Sequence, residues 1–187
     1  EEKLKELYPN VRTLRMDADT TRTKDSYEQI LSAFYNGEAD VLIGTQMIVK
    51  GHDFPRVTLV GVLAADLSLS VGDYHASERT FQLLTQAVGR AGRGSLPGEA
   101  VIQTYQPDHY AVVHAAKQDY EGFYEEDILF REMMGYPPVS HLLAVQVFAR
   151  EEDRGIRLAG WLAGRAGRVN SGAEAGKMQL LGPAPAA

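Results

Sequence analysis

The chain has 187 residues, 44% hydrophobic and 24% charged, with a formal net charge of −6; this is ordinary globular composition, enough for one large domain or a small domain plus part of another. It contains no cysteine, which excludes disulfides and thiolate zinc sites within it. The acidic balance excludes a broad basic field for gripping duplex DNA, so nucleic-acid contact must be local or shared with another segment.

No apolar run approaches the roughly 18 residues of a membrane span, and Glu1-Glu2-Lys3 does not open a signal peptide. Glu1 leads directly into a helical pattern, with Leu4 and Leu7 on one side until Pro9-Asn10. Val11 to Met16 alternates as a short strand, followed by the polar loop Asp17 to Thr21. Asp25-x-x-Glu28 can cap the next helix, whose stripe is Tyr27, Ile30, Leu31 and Phe34 and whose stop is Asn36-Gly37. Val41 to Thr45 and Val57 to Ala65 are apolar runs suited to buried parallel strands. A Gly-containing loop, Gln46 to Pro55, separates them, and Asp66 stands at the end of the second. A helix is expected from about Ser77, a turn at Pro97-Gly98, and a strand from Ala100 to Tyr105.

This order predicts an α/β fold with a parallel sheet, with ligands at the C-terminal ends of the strands. The loops after residues 16, 45 and 65 all fall at that edge. After Pro107-Asp108-His109, one long helix is expected to about Met134, with Ala111, Ala115, Tyr120 and Phe123 inward and Glu121 to Asp127 as a solvated face. Gly135-Tyr136-Pro137-Pro138 ends it. A strand over Leu142 to Ala149, a helix over Glu151 to Arg168, and a small polar loop over 170–177 complete the pattern. The domain boundary is placed near residue 106. The apolar ending Gly182 to Ala187 has no element to close it, so both ends read as cut and the expectation is a piece of a longer protein.

The stretch that organises the chain is Gln86-x-x-Gly89-Arg90-x-x-Arg93. On a helix, Gln86, Arg90 and Arg93 share one face, with small residues between them that admit a polyphosphate. Guanidinium forks match phosphate oxygens and stay charged. Alone, the stretch reads more readily as a basic helix end. Gly-Arg-Ala-Gly-Arg recurs at 164–168, but with Trp161 where the first copy has Gln86, and reads there as a helix end.

The loop from Gly44 to Phe54 adds a second set. Thr45 and Gln46 can donate to backbone phosphates, Gly51 permits close approach, and Asp53 can hold a ribose hydroxyl or orient an arginine. Gly172-x-x-x-Gly176-Lys177-Met178 misses the phosphate-loop pattern by one residue and lacks its Ser or Thr. The five histidines are scattered, with no second ligand at metal spacing beside His52-Asp53. Gly-x-Ser-x-Gly is absent. The chain therefore has residues fit to touch a nucleotide, but not to bind its phosphates and metal alone.

Thr45-x₅-Gly51-x-Asp53 followed by Gln86-x-x-Gly89-Arg90-x-x-Arg93 resembles motifs V and VI of superfamily 2 helicases, on their second RecA-like lobe. Residues 44–55 and 76–93 resemble, more closely, the PriA family of primosomal helicases. So do Arg15-Met16-Asp17-x-Asp19-Thr20-Thr21, Asp119-Tyr120-x-x-Phe123-Tyr124-x-Glu126, Tyr136-Pro137-Pro138 and Gly182 to Ala186. The resemblance spans nearly the whole chain. Departures are Val49 for a usual Ala, Ala87-Val88 in reversed order, and His75 for a usual Arg, which removes a fixed positive charge near the cleft.

The resemblance implies a RecA-like parallel-sheet lobe (lobe 2 of a P-loop NTPase helicase) over residues 1–106, and the start of a small α+β C-terminal domain over 107–187. It implies an ATP-dependent 3′-to-5′ DNA helicase for replication restart, bacterial, cytoplasmic and nucleoid-associated, monomeric and without membrane contact. Arg90, Arg93 and Gln86 would be catalytic; Gly51, Asp53 and Gly89 would meet the nucleotide; Thr45, Gln46 and Lys50 would meet DNA. ATP and Mg2+ would be held mainly by a first lobe, and Zn2+ by cysteines upstream, with no ligands here. Partners would be single-stranded and forked DNA, single-stranded-DNA-binding protein and other primosome proteins. Two alternatives stay open: a non-catalytic interaction module centred on residues 106–187, and a superfamily 2 translocase on another nucleic acid.

Overall fold

The computed structural model describes residues 1–21, 23–49, 54–70, 72–92, 97–171 and 178–185. The chain forms two compact units, Glu1–Ser140 and His141–Ala187.

The first unit is α/β. Helix α1 (Glu2–Leu7) precedes strand β1 (Thr13–Met16), helix α2 (Lys24–Asn36) and strand β2 (Val41–Gly44). β1 and β2 pair in parallel, from Thr13 opposite Val41 to Met16 opposite Gly44. Asp40 stands just before β2 and accepts from the Arg12 backbone N at 3.0 Å, from Nε at 3.1 Å and from Nη2 at 2.5 Å. This bidentate clasp fixes where the two strands start, and its hydrogen bonds hold the Asp40 carboxyl down to about 2. α2 is capped by Thr23, whose side chain accepts from the Ser26 N–H at 3.2 Å, two residues before the Asp25 position read from sequence. A hydroxyl with extended backbone is the better cap there, because Asp25 already has helical geometry. α2 stops as expected, at Gly37 with φ 79°.

Strand β3 (Leu59–Val62) is followed by the one-turn helix α3 (Asp66–Leu69), helix α4 (Ala76–Val88) and strand β4 (Glu99–Ile102). β3 and β4 are also parallel, from Leu59 opposite Glu99 to Val62 opposite Ile102. Among the described residues the ladders thus form two small parallel pairs. Parallel pairing joined by helical crossovers agrees with the sequence reading. α4 buries Ala76, Thr80, Phe81, Leu84 and Ala87, a single stripe at helical spacing. This stripe meets Ala65, Ala111, Val112, Ala115 and Phe123, with Val62, Leu69, Ile102 and Tyr110 closing the core around it. Phe81 and Phe123 stack with ring centroids 4.0 Å apart.

The long helix expected after residue 109 is two helices, α5 (Tyr110–Lys117) and α6 (Tyr120–Met134). Gln118 takes a left-handed conformation (φ 58°) and Asp119 restarts the chain by accepting from the Gly122 N–H at 3.0 Å. The break moves Tyr120 outward, where it is 66% exposed rather than inward as its spacing suggested; Ala111, Ala115 and Phe123 are buried as expected. The acidic run is not wholly solvated either. Asp127 is 7% exposed, because Arg131 reaches back one turn to it.

The second unit contains α7 (Glu152–Asn170), which runs through the repeated Gly-Arg-Ala-Gly-Arg to its last turn. Residues 142–149 form no strand, contrary to expectation. Leu143, Val145 and Val147 line a cavity of about 670 Å³ with Leu162, Ala166 and Val169, but Leu143 and Val145 stay largely exposed. No described segment offers them a ladder, and an extended chain without a hydrogen-bonded neighbour is not a strand. Asn170 closes the unit by exchanging two hydrogen bonds with the Met178 backbone, at 2.6 and 3.1 Å.

Candidate functional site

The C-terminal edge of β1–β2 carries two loops. In the first, Asp17 accepts from the backbone N–H groups of Asp19 and Thr20 at 3.1 and 3.0 Å, and from Arg15 Nε at 2.5 Å. The Thr20 and Thr21 hydroxyls donate back to the Asp17 carbonyl. The backbone hydrogen bond from Thr20 is the main reason that the Asp17 carboxyl titrates below its usual range. This loop is closed by its own side chains. The second loop leaves β2 at Gly44, where a Cβ would stand 2.2 Å from the Met16 carbonyl oxygen; only glycine lets the chain turn there. Thr45 and Gln46 follow, both exposed. The 3₁₀ turn Gln46–Val49 opens with Ile48 N–H donating to Thr45 O at 3.2 Å, and packs against α4. Lys50, Gly51 and Asp53 lie outside the described residues.

The other half of the site is the end of α4. The helix stops at Val88, so Gln86 stands on its last turn and Arg90 beyond its end. Gly89 N–H still reaches Thr85 O at 3.0 Å, but Arg90 N–H donates to Ala87 O at 3.0 Å and Ala91 N–H to Val88 O at 3.2 Å. These i to i+3 bonds wind the backbone tighter than an α-helix. Gly89 and Gly92 permit this tightening, and the turn ends at Gly92 with φ 72°. Gln86 is exposed on the last turn of α4 and Arg90 half-buried on the tight turn; Arg93 lies outside the described residues.

Three contacts hold this turn. Gly92 N–H donates to the Val57 carbonyl at 3.1 Å, tying it to the chain that returns from the second loop. Gly98 passes so close that a Cβ would lie 2.0 Å from Gly92 N and 2.4 Å from the Ala91 carbonyl carbon. Gln118 Nε2 donates to Thr85 O at 3.0 Å. The segment returning from the Gly44–Phe54 loop is thereby bonded to the Gly89–Gly92 turn. The approach of Gly98 is invisible in sequence, where Pro97-Gly98 reads only as a turn.

The carboxylate after β3 has a structural task. Asp66 accepts from Thr104 Oγ1 at 2.6 Å and from the backbone N–H groups of Tyr105 and Gln106 at 2.9 and 3.1 Å, stitching the exits of β3 and β4 together. The Thr104 hydrogen bond leads in lowering its pKa. At the start of α4, His75 Nδ1 is 3.2 Å from Asp73 Oδ1, and Arg79 Nη1 is 2.9 Å from Asp73 Oδ2. Asp73 thus joins His75 to Arg79 at the start of α4.

Sequence reasoning missed the buried cluster behind α4. Arg131, 5% exposed, donates from Nε to Asp127 at 2.6 Å, from Nη2 to Glu78 at 3.0 Å and from Nη1 to the Pro137 carbonyl at 2.7 Å. Tyr110 Oη donates to Asp127 at 2.8 Å, and burial pushes its phenol up to about 12. The i, i+4 spacing of Asp127 and Arg131 was the available signal. Gln86 and Thr85 line a cavity of about 400 Å³ beside this cluster, with Tyr120 and Tyr124. Among the described residues, no group of three or more His, Asp or Glu side chains is placed to hold a metal ion, and no helix is long and apolar enough to cross a membrane.

Comparison with known proteins gives this arrangement a family. The helicase conserved C-terminal domain matches residues 1–95, half of the chain. The chain belongs to that helicase family. The chain is 46% identical over 183 residues to the replication restart protein PriA of Bacillus subtilis, covering 98% of this chain and 22% of that protein. It is 49% identical over 140 residues to PriA of Chlamydia trachomatis, covering 75% and 19%. It is 41% identical over 188 residues to PriA of Synechocystis, covering 99% and 22%. This helicase domain chain thus spans about a fifth of the length of those curated relatives. The helicase family match covers both Gly44–Phe54 and Gln86–Arg93, and does not favour a purely non-catalytic interaction module.

Proposed function

We propose that residues 1–106 are the second RecA-like lobe of an ATP-dependent 3′-to-5′ DNA helicase that restarts stalled replication forks, and that residues 107–187 begin its C-terminal domain. The observation that carries this is the Gly92–Val57 hydrogen bond, sealed by Gly98, which binds the Gly89–Gly92 turn to the chain leaving the Gly44–Phe54 loop. This contact joins the two motif stretches where the chain enters β3 and β4.

Bound ATP, with Mg2+, supplies the phosphoryl-transfer free energy. Arg90 and Arg93 present fixed positive charge to the phosphates, with Arg90 fixed by its tight turn. Gln86 orients a water or the nucleotide from the last α-helical turn, and Gly89 keeps the approach open. Gly51 and Asp53 complete the nucleotide contacts, Asp53 by a ribose hydroxyl or an arginine. The described carboxylates suit no Mg2+ site, being engaged as structural acceptors at Asp17, Asp40 and Asp66, so this metal is assigned to the first lobe and Zn2+ to the cysteines of the longer protein. Thr45, Gln46 and Lys50 grip the DNA backbone. Because the 3₁₀ turn that begins at Gln46 packs on α4, movement of the arginine turn is passed to that grip.

Single-stranded and forked DNA, single-stranded-DNA-binding protein and other primosome proteins are the proposed partners, met by a monomer in the bacterial cytoplasm at the nucleoid. The 187-residue chain alone is expected to hydrolyse no ATP, with or without single-stranded DNA. Turnover by the pure chain, measured by phosphate release, would overturn the two-lobe assignment.

A further inference from the structure

We propose that Gln118 is a positioning residue for the arginine-bearing turn, linking the α5–α6 elbow to ATP turnover. The inference rests on the proposed role of Arg90 at the nucleotide. Gln118 is the residue at which α5 ends, and it holds φ 58°, a conformation that a side chain other than Gly, Asn or Asp rarely adopts. Such strain persists only where surrounding contacts fix it. Three hydrogen bonds do so. The Gln118 backbone N–H donates to Ala115 O at 3.1 Å, and its side-chain Nε2 donates to Thr85 O at 3.0 Å and to Ala115 O at 3.3 Å.

Thr85 O is not an ordinary acceptor. It also takes the Gly89 N–H at 3.0 Å, the last i to i+4 bond before the backbone tightens at Arg90. Gln118 Oε1 stands 3.8 Å from where a Cβ added to Gly89 would be, so the amide lies beside that glycine. One side-chain amide therefore holds the acceptor of the hydrogen bond that sets the direction in which the chain leaves α4. From the other side, Val57 and Gly98 hold Gly92. The turn carrying Arg90 is gripped at its start by the C-terminal elbow and at its end by the sheet. Displacing a charged group by about 1 Å costs up to 10²-fold in rate, so loss of one grip is read in turnover.

The test is made in the full-length helicase with both lobes. Gln118→Gly removes the amide while easing the left-handed backbone, and Gln118→Glu keeps the size but replaces the donor. Gln118→Gly is expected to melt at the same temperature as the parent or higher, and to bind single-stranded DNA equally. Its kcat for DNA-stimulated ATP hydrolysis should fall about five- to tenfold, the rate equivalent of one hydrogen bond; KM for ATP should move less than twofold. Gln118→Glu should show the same fall. In an Arg90→Ala background, Gln118→Gly should add nothing. Unchanged kcat in both Gln118 variants, with Arg90→Ala impaired, would overturn the positioning role and leave the Arg90 reading standing. So would an undiminished Gln118→Gly effect in the Arg90→Ala background. An Arg90→Ala enzyme of full activity would sink the Arg90 reading and this inference with it.

Discussion

Removing Arg131 should unfold the first unit more readily than any surface change on α6. Arg131 is 5% exposed, and the Asp127 carboxylate it meets at 2.6 Å is 7% exposed. Without the guanidinium, Asp127 keeps one donor, Tyr110 Oη at 2.8 Å. Glu78 is 38% exposed at its side chain and remains hydrated, so its loss of a partner contributes little. The cost therefore falls on one buried carboxylate and on the Pro137 carbonyl, which loses its donor. Breaking a buried pair from one side costs about 3–5 kcal/mol, a large part of a domain's stability of about 5–15 kcal/mol. At a slope of about 2 kcal/mol per molar urea, the midpoint for Arg131→Ala falls by about 1.5–2.5 M. Far-UV circular dichroism is the assay, because the single tryptophan, Trp161, is on α7 and not in the first unit. The double change Asp127→Asn with Arg131→Met removes both charges and should recover at least half of the loss. A drop of less than about 1 kcal/mol for Arg131→Ala, the size of a surface pair, would refute the reasoning; so would a double variant no better than Arg131→Ala.

Two further outcomes follow from the same geometry. Gly98→Ala places a Cβ 2.0 Å from Gly92 N and should displace the arginine turn, lowering ATP turnover by the full-length helicase tenfold or more, on the order expected of misplaced catalytic groups; a fully active Gly98→Ala enzyme would show that the turn need not be held. The α5–α6 elbow should depend on pH through His114, whose ring is 2.8 Å from Asp119 and 3.1 Å from Glu126. The Glu126 hydrogen bond leads in raising the folded pKa of His114 above 6.5, so its contribution is complete below pH 6.5 and is lost as pH rises through the raised value. The Asp119 carboxyl is lowered from 3.8, chiefly by the Gly122 N–H, so its contribution is present above that pH and lost as pH falls through the lowered value. Thermal melts of His114→Gln should lack the decline above pH 6.5; a decline equal to that of the parent would assign it elsewhere.

The elements that periodicity and punctuation mark were legible in the sequence. The stripe Tyr27, Ile30, Leu31 and Phe34 with Gly37 gives α2, and the alternating stretches 11–16 and 100–105 with the apolar runs 41–45 and 57–65 give four strands in their parallel sense. What failed depended on partners distant along the chain. Lys117-Gln118-Asp119 holds neither Gly nor Pro, so the break between α5 and α6 left no trace beyond Asp119 as a cap. Asp127 reads as solvated until Arg131 and the distant Glu78 are seen around it. Residues 142–149 have the alternation of a strand but no described neighbour, and a pattern along one segment does not supply its ladder. At the site, the residue types and their two stretches were readable from spacing. The shape was not, because the small residues after Val88 permit either an α-turn or the tighter one that forms.

The most direct measurement is DNA-stimulated ATP hydrolysis by the full-length helicase carrying Arg90→Ala or Arg93→Ala, with ATP and single-stranded DNA binding measured alongside. If these arginines complete the nucleotide site, kcat falls by about 10³-fold or more, the range of arginine fingers, while DNA affinity stays within a fewfold. Undiminished turnover in both variants would contradict the assignment of this turn to the active site.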